Sequence, residues 1–318
     1  MRLLIKSCLL VFAGAVFFAL AGLVAVWAPD KSLDELRGRW SPPPSQFMLI
    51  DGMQVHLRDE GPRDDPVPLV LVHGTSDSLH TWDAWVAVLK LQRRVIRFDL
   101  PGFGLTGPDP RNDYSIARYV RFTTAVLDRL GVQRCVLAGN SLGGQIAWAS
   151  ALAAPRRVQQ LILVDAGGYP MAPTEVPLAF RLARAKSGRW MLEHVLPRGL
   201  VQSSVRNVYG DTTKVTPELV ERYYDMALRA GNRRALGYRM DVAAVDDSRS
   251  IKELTVPTLV LWGGRDRLIP PSSGQRFARD IAGARLVVFG DLGHLPQQED
   301  PVRTVAEVQR FLGLRQAN

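Results

Sequence analysis

Six short runs rich in valine, isoleucine and leucine recur along the chain and restrict its fold more than any other feature. They lie at residues 68–74, 93–102, 134–141, 159–168, 257–266 and 284–291. Stretches with helical spacing of apolar residues lie between and after them, at 80–90, 115–130, 142–153, 274–282 and 301–313. Continuous apolar strands that alternate with helices are typical of a parallel sheet covered on both faces. We therefore predict an α/β fold with a mostly parallel, doubly wound sheet and an antiparallel hairpin about Asp51-Gly52 at one edge.

The segment at residues 169–250 interrupts this alternation. It has helical spacing, no strand candidate and many arginines. We predict that it is a helical cap, or lid, inserted into a core made of residues 46–168 and 251–318. Residues 29–45 are polar and contain Pro42-Pro43-Pro44, which favours an extended linker.

The N-terminal residues 1–28 form a separate apolar segment. An uncharged run extends from Cys8 to Ala28, and roughly 20 apolar residues at about 1.5 Å rise are enough to span a bilayer. Because positive charges precede the run, we predict a single-pass anchor in a bacterial inner membrane with the catalytic domain in the periplasm. The alternative is a signal segment cleaved after Ala19-Leu20-Ala21, which predicts a secreted or periplasmic protein.

The formal net charge of +9 raises nucleic acid as a possible partner, because basic proteins attract polyanions. A solvated, arginine-rich surface explains the charge more simply, and we predict no nucleic-acid partner. The cysteines, Cys8 and Cys135, form no disulfide framework, so they indicate no compartment. The oligomeric state is equally unreadable from the residues.

Residues 102–107 match G-x-G-x-x-G, a pattern typical of dinucleotide sites. That site requires a helix to begin on the glycines, but Pro108 and Pro110 precede the next helical pattern near Ser115. We therefore predict no nucleotide cofactor. No Cys, His or Asp grouping has metal-ligand spacing either, so we predict no metal.

The sequence Gly139-Asn140-Ser141-Leu142-Gly143 matches G-x-S-x-G where a predicted strand meets a predicted helix. A sharp strand-to-helix turn exposes the serine oxygen, and the flanking glycines leave room for it. Ser141 is therefore the candidate nucleophile.

A nucleophilic serine needs a base and an acid that orients the base. His294 follows the last predicted strand, whereas His56 lies in the hairpin and His194 in the cap, where surface or packing roles suit them better. Asp266 and Asp165 each follow a predicted strand. We predict Asp266 as the acid and keep Asp165 as the alternative.

The order Ser141, Asp266, His294 resembles that of the α/β-hydrolase fold, over about residues 46 to 314. His73-Gly74-Thr75 looks like the oxyanion loop of that fold, and residues 99–104 resemble its D-x-x-G-x-G turn. The resemblance implies that the backbone N–H groups of Thr75 and Leu142 form the oxyanion hole. It also implies that His73 braces its loop and takes no part in catalysis.

Within that fold, a serine at position 141 disfavours epoxide hydrolases and haloalkane dehalogenases, which carry aspartate there. The motifs are similar to those of bacterial lipases and esterases, and also to those of C–C bond hydrolases that act on aromatic ring-cleavage products. The latter usually carry methionine and tryptophan where this chain has Leu142 and Leu295. We therefore predict a serine carboxylesterase or lipase-like enzyme acting on a small-molecule or lipid ester. The alternatives are a C–C bond hydrolase and a catalytically inactive binding protein.

Overall fold

A computed structural model describes residues 26–170, 178–242 and 247–315, with Ser7, residues 12–14, Phe17 and Gly22 before them. Among these residues, eight strands form one sheet in the order β1-β2-β4-β3-β5-β6-β7-β8. The strands are β1 (Gln46–Ile50), β2 (Met53–Glu60), β3 (Leu69–Val72), β4 (Val95–Phe98), β5 (Cys135–Asn140), β6 (Val158–Val164), β7 (Thr258–Gly263) and β8 (Arg285–Phe289). Only the pairings of β2, with β1 and with β4, are antiparallel. The predicted α/β fold with a mostly parallel sheet is confirmed.

Helices cover both faces of the sheet. Outside the interval between β6 and β7, they are α1 (Leu33–Trp40), α2 (Asp83–Leu89), α3 (Ile116–Arg129), α4 (Leu142–Ala153), α10 (Pro271–Asp280), α11 (Pro296–Glu299) and α12 (Pro301–Leu312). One buried cluster joins the sheet to α3, α4 and α10, for example through Phe122, Ile146 and Phe277. A second cluster joins the opposite face to α2 and α12, through Trp85 and Val308. The sheet is thus buried on both faces, as its uninterrupted apolar strands require.

The residues described between β6 and β7 include five α-helices. They are α5 (Leu178–Arg184), α6 (Lys186–His194), α7 (Arg198–Val208), α8 (Pro217–Leu228) and α9 (Asn232–Asp241), and the described residues of this interval contain no strand. The start of α8 has a clear local cause, since the Thr216 hydroxyl accepts the Leu219 N–H at 3.1 Å and Pro217 occupies the first turn. We call these five helices the cap.

The loop that carries the G-x-G-x-x-G pattern closes on itself. The Gly102 N–H donates to the Gly107 carbonyl at 2.6 Å, and the next helix, α3, begins only at Ile116. The helix that follows in the chain therefore does not begin on these glycines, as a dinucleotide fingerprint requires.

Residues 26–40, which we call the N-terminal strap, pack against the cap. Helix α1 within it begins at a capping box, in which Ser32 and Glu35 each bind the other's backbone N–H. The capping box accounts for this helix, which lies within residues 29–45. Those residues were predicted to be an extended linker because of their prolines. The buried Asp225 of α8 accepts hydrogen bonds from Lys31 Nζ at 2.6 Å and Trp40 Nε1 at 2.8 Å. The strap is thereby fastened to the cap by a buried charge.

The predicted location in the inner membrane, with a periplasmic catalytic domain, needs correction. A membrane-spanning helix must present roughly 20 consecutive apolar residues. Among the described residues, no helix is both long enough and apolar enough to cross a bilayer. Most of the proposed anchor at residues 1–28, including the Ala19-Leu20-Ala21 cleavage site, lies outside the described residues.

Replacing the acid that fastens the strap tests its contribution to stability. We expect Asp225→Ala to lower the free energy of unfolding by about 3 kcal/mol, because Trp40 Nε1 and Lys31 both lose a buried acceptor. Asp34→Ala is the control, since Asp34 pairs with Arg37 at the exposed surface of α1, where a change within about 0.5 kcal/mol is expected. Urea unfolding of both variants measures the difference, and equal losses would contradict this account.

Candidate active site

Ser141 stands at the turn between β5 and α4. Its φ of 56° and ψ of −117° lie where non-glycine residues seldom occur, and such strain persists only where the surrounding structure enforces it. The Ser141 N–H donates to the Val164 carbonyl at 3.0 Å. A Cβ on Gly139 would lie 2.1 Å from the Gly143 carbonyl oxygen, and one on Gly143 would lie 2.1 Å from the Val72 carbonyl oxygen. The two glycines are therefore required by the close approach of the chain to itself.

His294 and Asp266 are joined at the carboxyl edge of the sheet. His294 Nδ1 lies 2.7 Å from Asp266 Oδ2, and both side chains are buried. The other carboxylate oxygen of Asp266 accepts the N–H groups of Leu268 at 2.7 Å and Ile269 at 3.0 Å. Because a carboxylate only accepts hydrogen bonds, Nδ1 of His294 carries the proton and Nε2 is left as the basic nitrogen.

Ser141 and His294 line the same cavity. Among the described residues, no hydrogen bond joins the Ser141 hydroxyl to the His294 ring. Hydrogen bonds between reacting groups are often long in unliganded enzymes and shorten when substrate binds. The structure thus brings all three predicted residues to one edge of the sheet and joins two of them directly.

Asp165, the alternative acid, lies beside this pair and does not hydrogen-bond His294. It is fully buried, with a φ of 43°, and it accepts the Gly263 N–H at 2.9 Å. Burial raises the pKa of Asp165 well above its ordinary range, and the neighbouring charge of Asp266 raises it further. The raised pKa favours the protonated form of Asp165, whereas Asp266 is the acid that binds His294, so the two carboxyl groups have different roles.

Asp165, Asp266 and His294 also form a group of possible metal ligands. Each brings one possible ligand atom within 4.8 Å of the others. However, His294 Nδ1 is bonded to Asp266 Oδ2, and the other carboxylate oxygen of Asp266 accepts two backbone N–H groups. The trio suits proton chemistry better than it suits a cation.

The loop after β3 passes directly over the serine. A Cβ on Gly74 would lie 3.1 Å from Ser141 Cβ, and Thr75 lines the cavity. Among the described residues, no hydrogen-bond acceptor takes the N–H of Thr75 or of Leu142, the first residue of α4. Two backbone donors thus stand beside Ser141, where the resemblance predicts the oxyanion hole.

His73 braces this loop from beneath. Its Nδ1 donates to the Gly74 carbonyl at 2.7 Å, and its Nε2 accepts the Leu100 N–H at 2.9 Å. Both ring nitrogens are therefore occupied within the fold, and the ring is not free to act as a base.

The cavity above Ser141 has a volume of about 220 Å³. Most of its wall is apolar and comes from the cap, including Leu196, Leu200, Val201, Val205, Val208 and Leu236. An apolar wall excludes water and strengthens electrostatic interactions within the cavity.

Two positioning residues were not anticipated from the sequence. Asn140, fully buried next to the serine, donates through Nδ2 to the carbonyls of Val164 at 3.1 Å and His294 at 3.0 Å. One amide thus ties the strand that carries Ser141 to the loop that carries His294. The sequence signal for Asn140 was its position within G-x-S-x-G, and that motif specifies no residue type at this position.

The second such residue is Glu299, in the short helix α11. Its buried carboxylate accepts the N–H groups of Gly293 at 2.8 Å, Gly210 at 3.0 Å and Asp211 at 2.7 Å. The loop that carries His294 is thereby fastened to the segment that follows α7 of the cap.

Known proteins with a similar sequence or structure include two kinds of hydrolase. The 2-hydroxy-6-oxo-2,4-heptadienoate hydrolase of Pseudomonas putida is 30% identical over 278 residues, which are 84% of this chain and 95% of that protein. A meta-cleavage product hydrolase from Pseudomonas fluorescens, a solved structure, is 26% identical with a TM-score of 0.72, over 84% of this chain and 97% of that one. A thermophilic esterase from Thermogutta terrifontis is 26% identical with a TM-score of 0.69, over 85% and 98% of the two chains.

The family model of the α/β hydrolase fold matches residues 67–301. That interval extends from the start of β3 to the start of α12 and includes Ser141, Asp266 and His294. With the sheet order and the relatives just described, the match confirms the resemblance noted in the sequence: the chain belongs to the α/β hydrolase fold family.

Proposed function

We propose that this hydrolase cleaves carboxylic esters through an acyl-enzyme formed on Ser141. The observation that carries the proposal is the cavity that Ser141 and His294 line together, with Asp266 bound 2.7 Å behind the His294 ring. A strained serine, a histidine in a defined tautomer and a buried carboxylate are the parts that nucleophilic acyl transfer requires.

The proposed chemistry follows from the positions of the protons. His294 Nε2 accepts the proton of Ser141 as Oγ attacks the ester carbonyl, and Asp266 stabilises the imidazolium that forms. The tetrahedral oxyanion accepts hydrogen bonds from the N–H groups of Thr75 and Leu142. His294 then gives its proton to the leaving alcohol, and a water molecule repeats the sequence to release the acid.

C–C bond hydrolysis is the second candidate, because the Pseudomonas relatives are named as hydrolases of 2-hydroxy-6-oxo-2,4-heptadienoate and of a meta-cleavage product. The buried Leu295, which follows His294, favours ester cleavage, since C–C hydrolases of this fold usually carry tryptophan there. The predominantly apolar wall of the cavity also suits an acyl chain, and one structural relative is an esterase.

Removing the proposed nucleophile tests the assignment. Ser141→Ala is expected to lower kcat/KM on p-nitrophenyl butyrate by at least about 10³-fold, because the acyl-enzyme no longer forms. Ser150→Ala is the matched control, since Ser150 is a buried serine on the same helix, α4, and should retain activity within about threefold.

Equal rates for the wild type and Ser141→Ala would contradict the proposal and favour a binding protein. Turnover by the wild type of a vinylogous diketone, with no Ser141-dependent ester cleavage, would instead assign the C–C reaction.

Matched substitutions distinguish the roles of Asp266 and Asp165. Asp266→Asn is expected to lower kcat by about 10²–10⁴-fold, because the amide cannot hold His294 in the same tautomer. Asp165→Asn should stay within about threefold, since the native carboxyl group is already neutral. Steady-state kinetics on the same ester measure both, and the assignment fails if only the Asp165 change is damaging.

The raised pKa of Asp165 also predicts how stability depends on pH. Above about pH 4 the unfolded chain releases a proton that folded Asp165 retains. Since the unfolded state then binds fewer protons, the contribution of Asp165 to the free energy of unfolding falls as the pH rises. Asp165→Asn removes this titration, so the variant should gain stability relative to the wild type between about pH 5 and about pH 8. Urea unfolding at both pH values measures the change, and a constant difference would refute the raised pKa.

A further inference from the structure

Arg233 of α9 is a buried cation in the wall of the catalytic cavity. It is 9% exposed and lines the cavity together with Ser141 and His294. Its Nη2 donates to Asp30 Oδ1 at 2.6 Å, whereas Nε and Nη1 find no hydrogen-bond partner among the described residues. Buried donors without acceptors are costly, and a native protein usually provides them with a partner. Two unused N–H-bearing nitrogens of a guanidinium therefore indicate a binding site for a group that none of the described residues supplies.

Arg233 differs from the other charged group of the same wall. The Asp77 carboxylate accepts the Ser78 N–H at 2.8 Å and Gln298 Nε2 at 3.3 Å, so each of its oxygens is hydrogen-bonded. Of these two charged groups, Arg233 is therefore the one with unused hydrogen-bonding atoms, and those atoms are donors.

A second cavity, of about 260 Å³, lies on the other side of Arg233. Its wall includes Arg189, Arg234 and Glu193, and Arg233 lines both cavities. The charged groups of this wall other than Arg233 are paired, Arg234 with Glu193 at 3.0 Å and Arg189 with Asp241. A charged group next to Arg233 thus has space, and Arg233 is the cation of this wall that offers it unused donors.

Asp30 of the N-terminal strap holds the Arg233 side chain in place. Asp30 Oδ2 accepts the Gly231 N–H at 3.0 Å while Oδ1 binds Arg233, and the Asp30 side chain is 41% exposed. This partly solvated carboxylate binds one nitrogen of the guanidinium, and the other two, Nε and Nη1, are buried without an acceptor among the described residues. Guanidinium groups bind planar oxyanions through two N–H groups at once.

We propose that the natural substrate carries an oxyanionic group, a carboxylate or a phosphate, which Arg233 binds while the ester reaches Ser141. This inference rests on the proposed ester hydrolysis and adds the substrate class to it. The apolar wall of the cavity then contacts the hydrocarbon part of the substrate, between its ester and its oxyanionic group.

Matched substrates test the inference on the full-length protein. Mono-p-nitrophenyl adipate carries a carboxylate, p-nitrophenyl 5-phosphonopentanoate carries a phosphonate, and p-nitrophenyl hexanoate is the neutral counterpart of similar length. The readout is the kcat/KM of each anionic ester divided by that of hexanoate, after subtraction of the uncatalysed rate. We expect the wild type to prefer at least one anionic ester, and the preferred one identifies the natural group as carboxylate or phosphate.

Variants at Arg233 then assign the preference. In Arg233→Met the ratio should fall by about tenfold or more, as expected for the loss of charge-assisted hydrogen bonds. In Arg233→Lys, which keeps the charge but not the fork, it should fall by less. Arg198→Met is the control, because Arg198 is a cap arginine that pairs with Glu221 outside both cavities, and it should leave the ratio unchanged. Asp30→Asn, which removes the competing carboxylate, should raise the ratio.

A wild type without preference for either anionic ester would overturn the inference, as would a preference that survives in Arg233→Met. If Arg233→Met does not fold, the other two variants decide: the inference fails if the ratio stays unchanged in both Arg233→Lys and Asp30→Asn. Absence of Ser141-dependent hexanoate cleavage would be a different result, because it would remove the proposed function itself.

Discussion

The site depends on the close approach of three backbone segments at the carboxyl edge of the sheet. Glycine at 139 and 143 lets β5, the start of α4 and the end of β3 meet at distances that no side chain would permit. Ser141 is strained because it lies between these glycines, and Thr75 lies near it because the loop after β3 leaves the same point. Asn140 then connects this turn to the loop of His294. One packing constraint thus places Ser141 beside Thr75, and a hydrogen bond from Asn140 links this turn to the His294 loop.

The two adjacent acids, Asp266 and Asp165, differ in their electrostatic surroundings. Asp266 accepts two backbone N–H groups and the His294 ring. Asp165 accepts one backbone N–H and is completely buried, and burial together with the neighbouring Asp266 raises its pKa. The two adjacent acids therefore differ in how many donors surround them. The sequence, in which both residues follow a strand, could not make that distinction.

Features with a local signal were predictable, and features built from distant contacts were not. The strand segments, the Ser141 turn and the position of His294 follow from apolar runs and from the residues that end them. Asn140, Glu299 and Arg233 have no such signal, since their partners come from other elements. The membrane location was inferred from hydrophobic length and from the positive charges before it, and no helix among the described residues supports it.

The contacts of the N-terminal strap join parts of the chain that are far apart in sequence. Trp40 and Asp225 are 185 residues apart, and Asp30 and Arg233 are 203 residues apart. Contacts of such separation form only after a long loop has closed, and they therefore tend to appear late in folding. We expect the sheet to assemble first and the cap to be fastened last, by the N-terminal strap. In a chain synthesised from its N-terminus, the strap must wait until its partners in the cap, 185 and 203 residues further along, have been made.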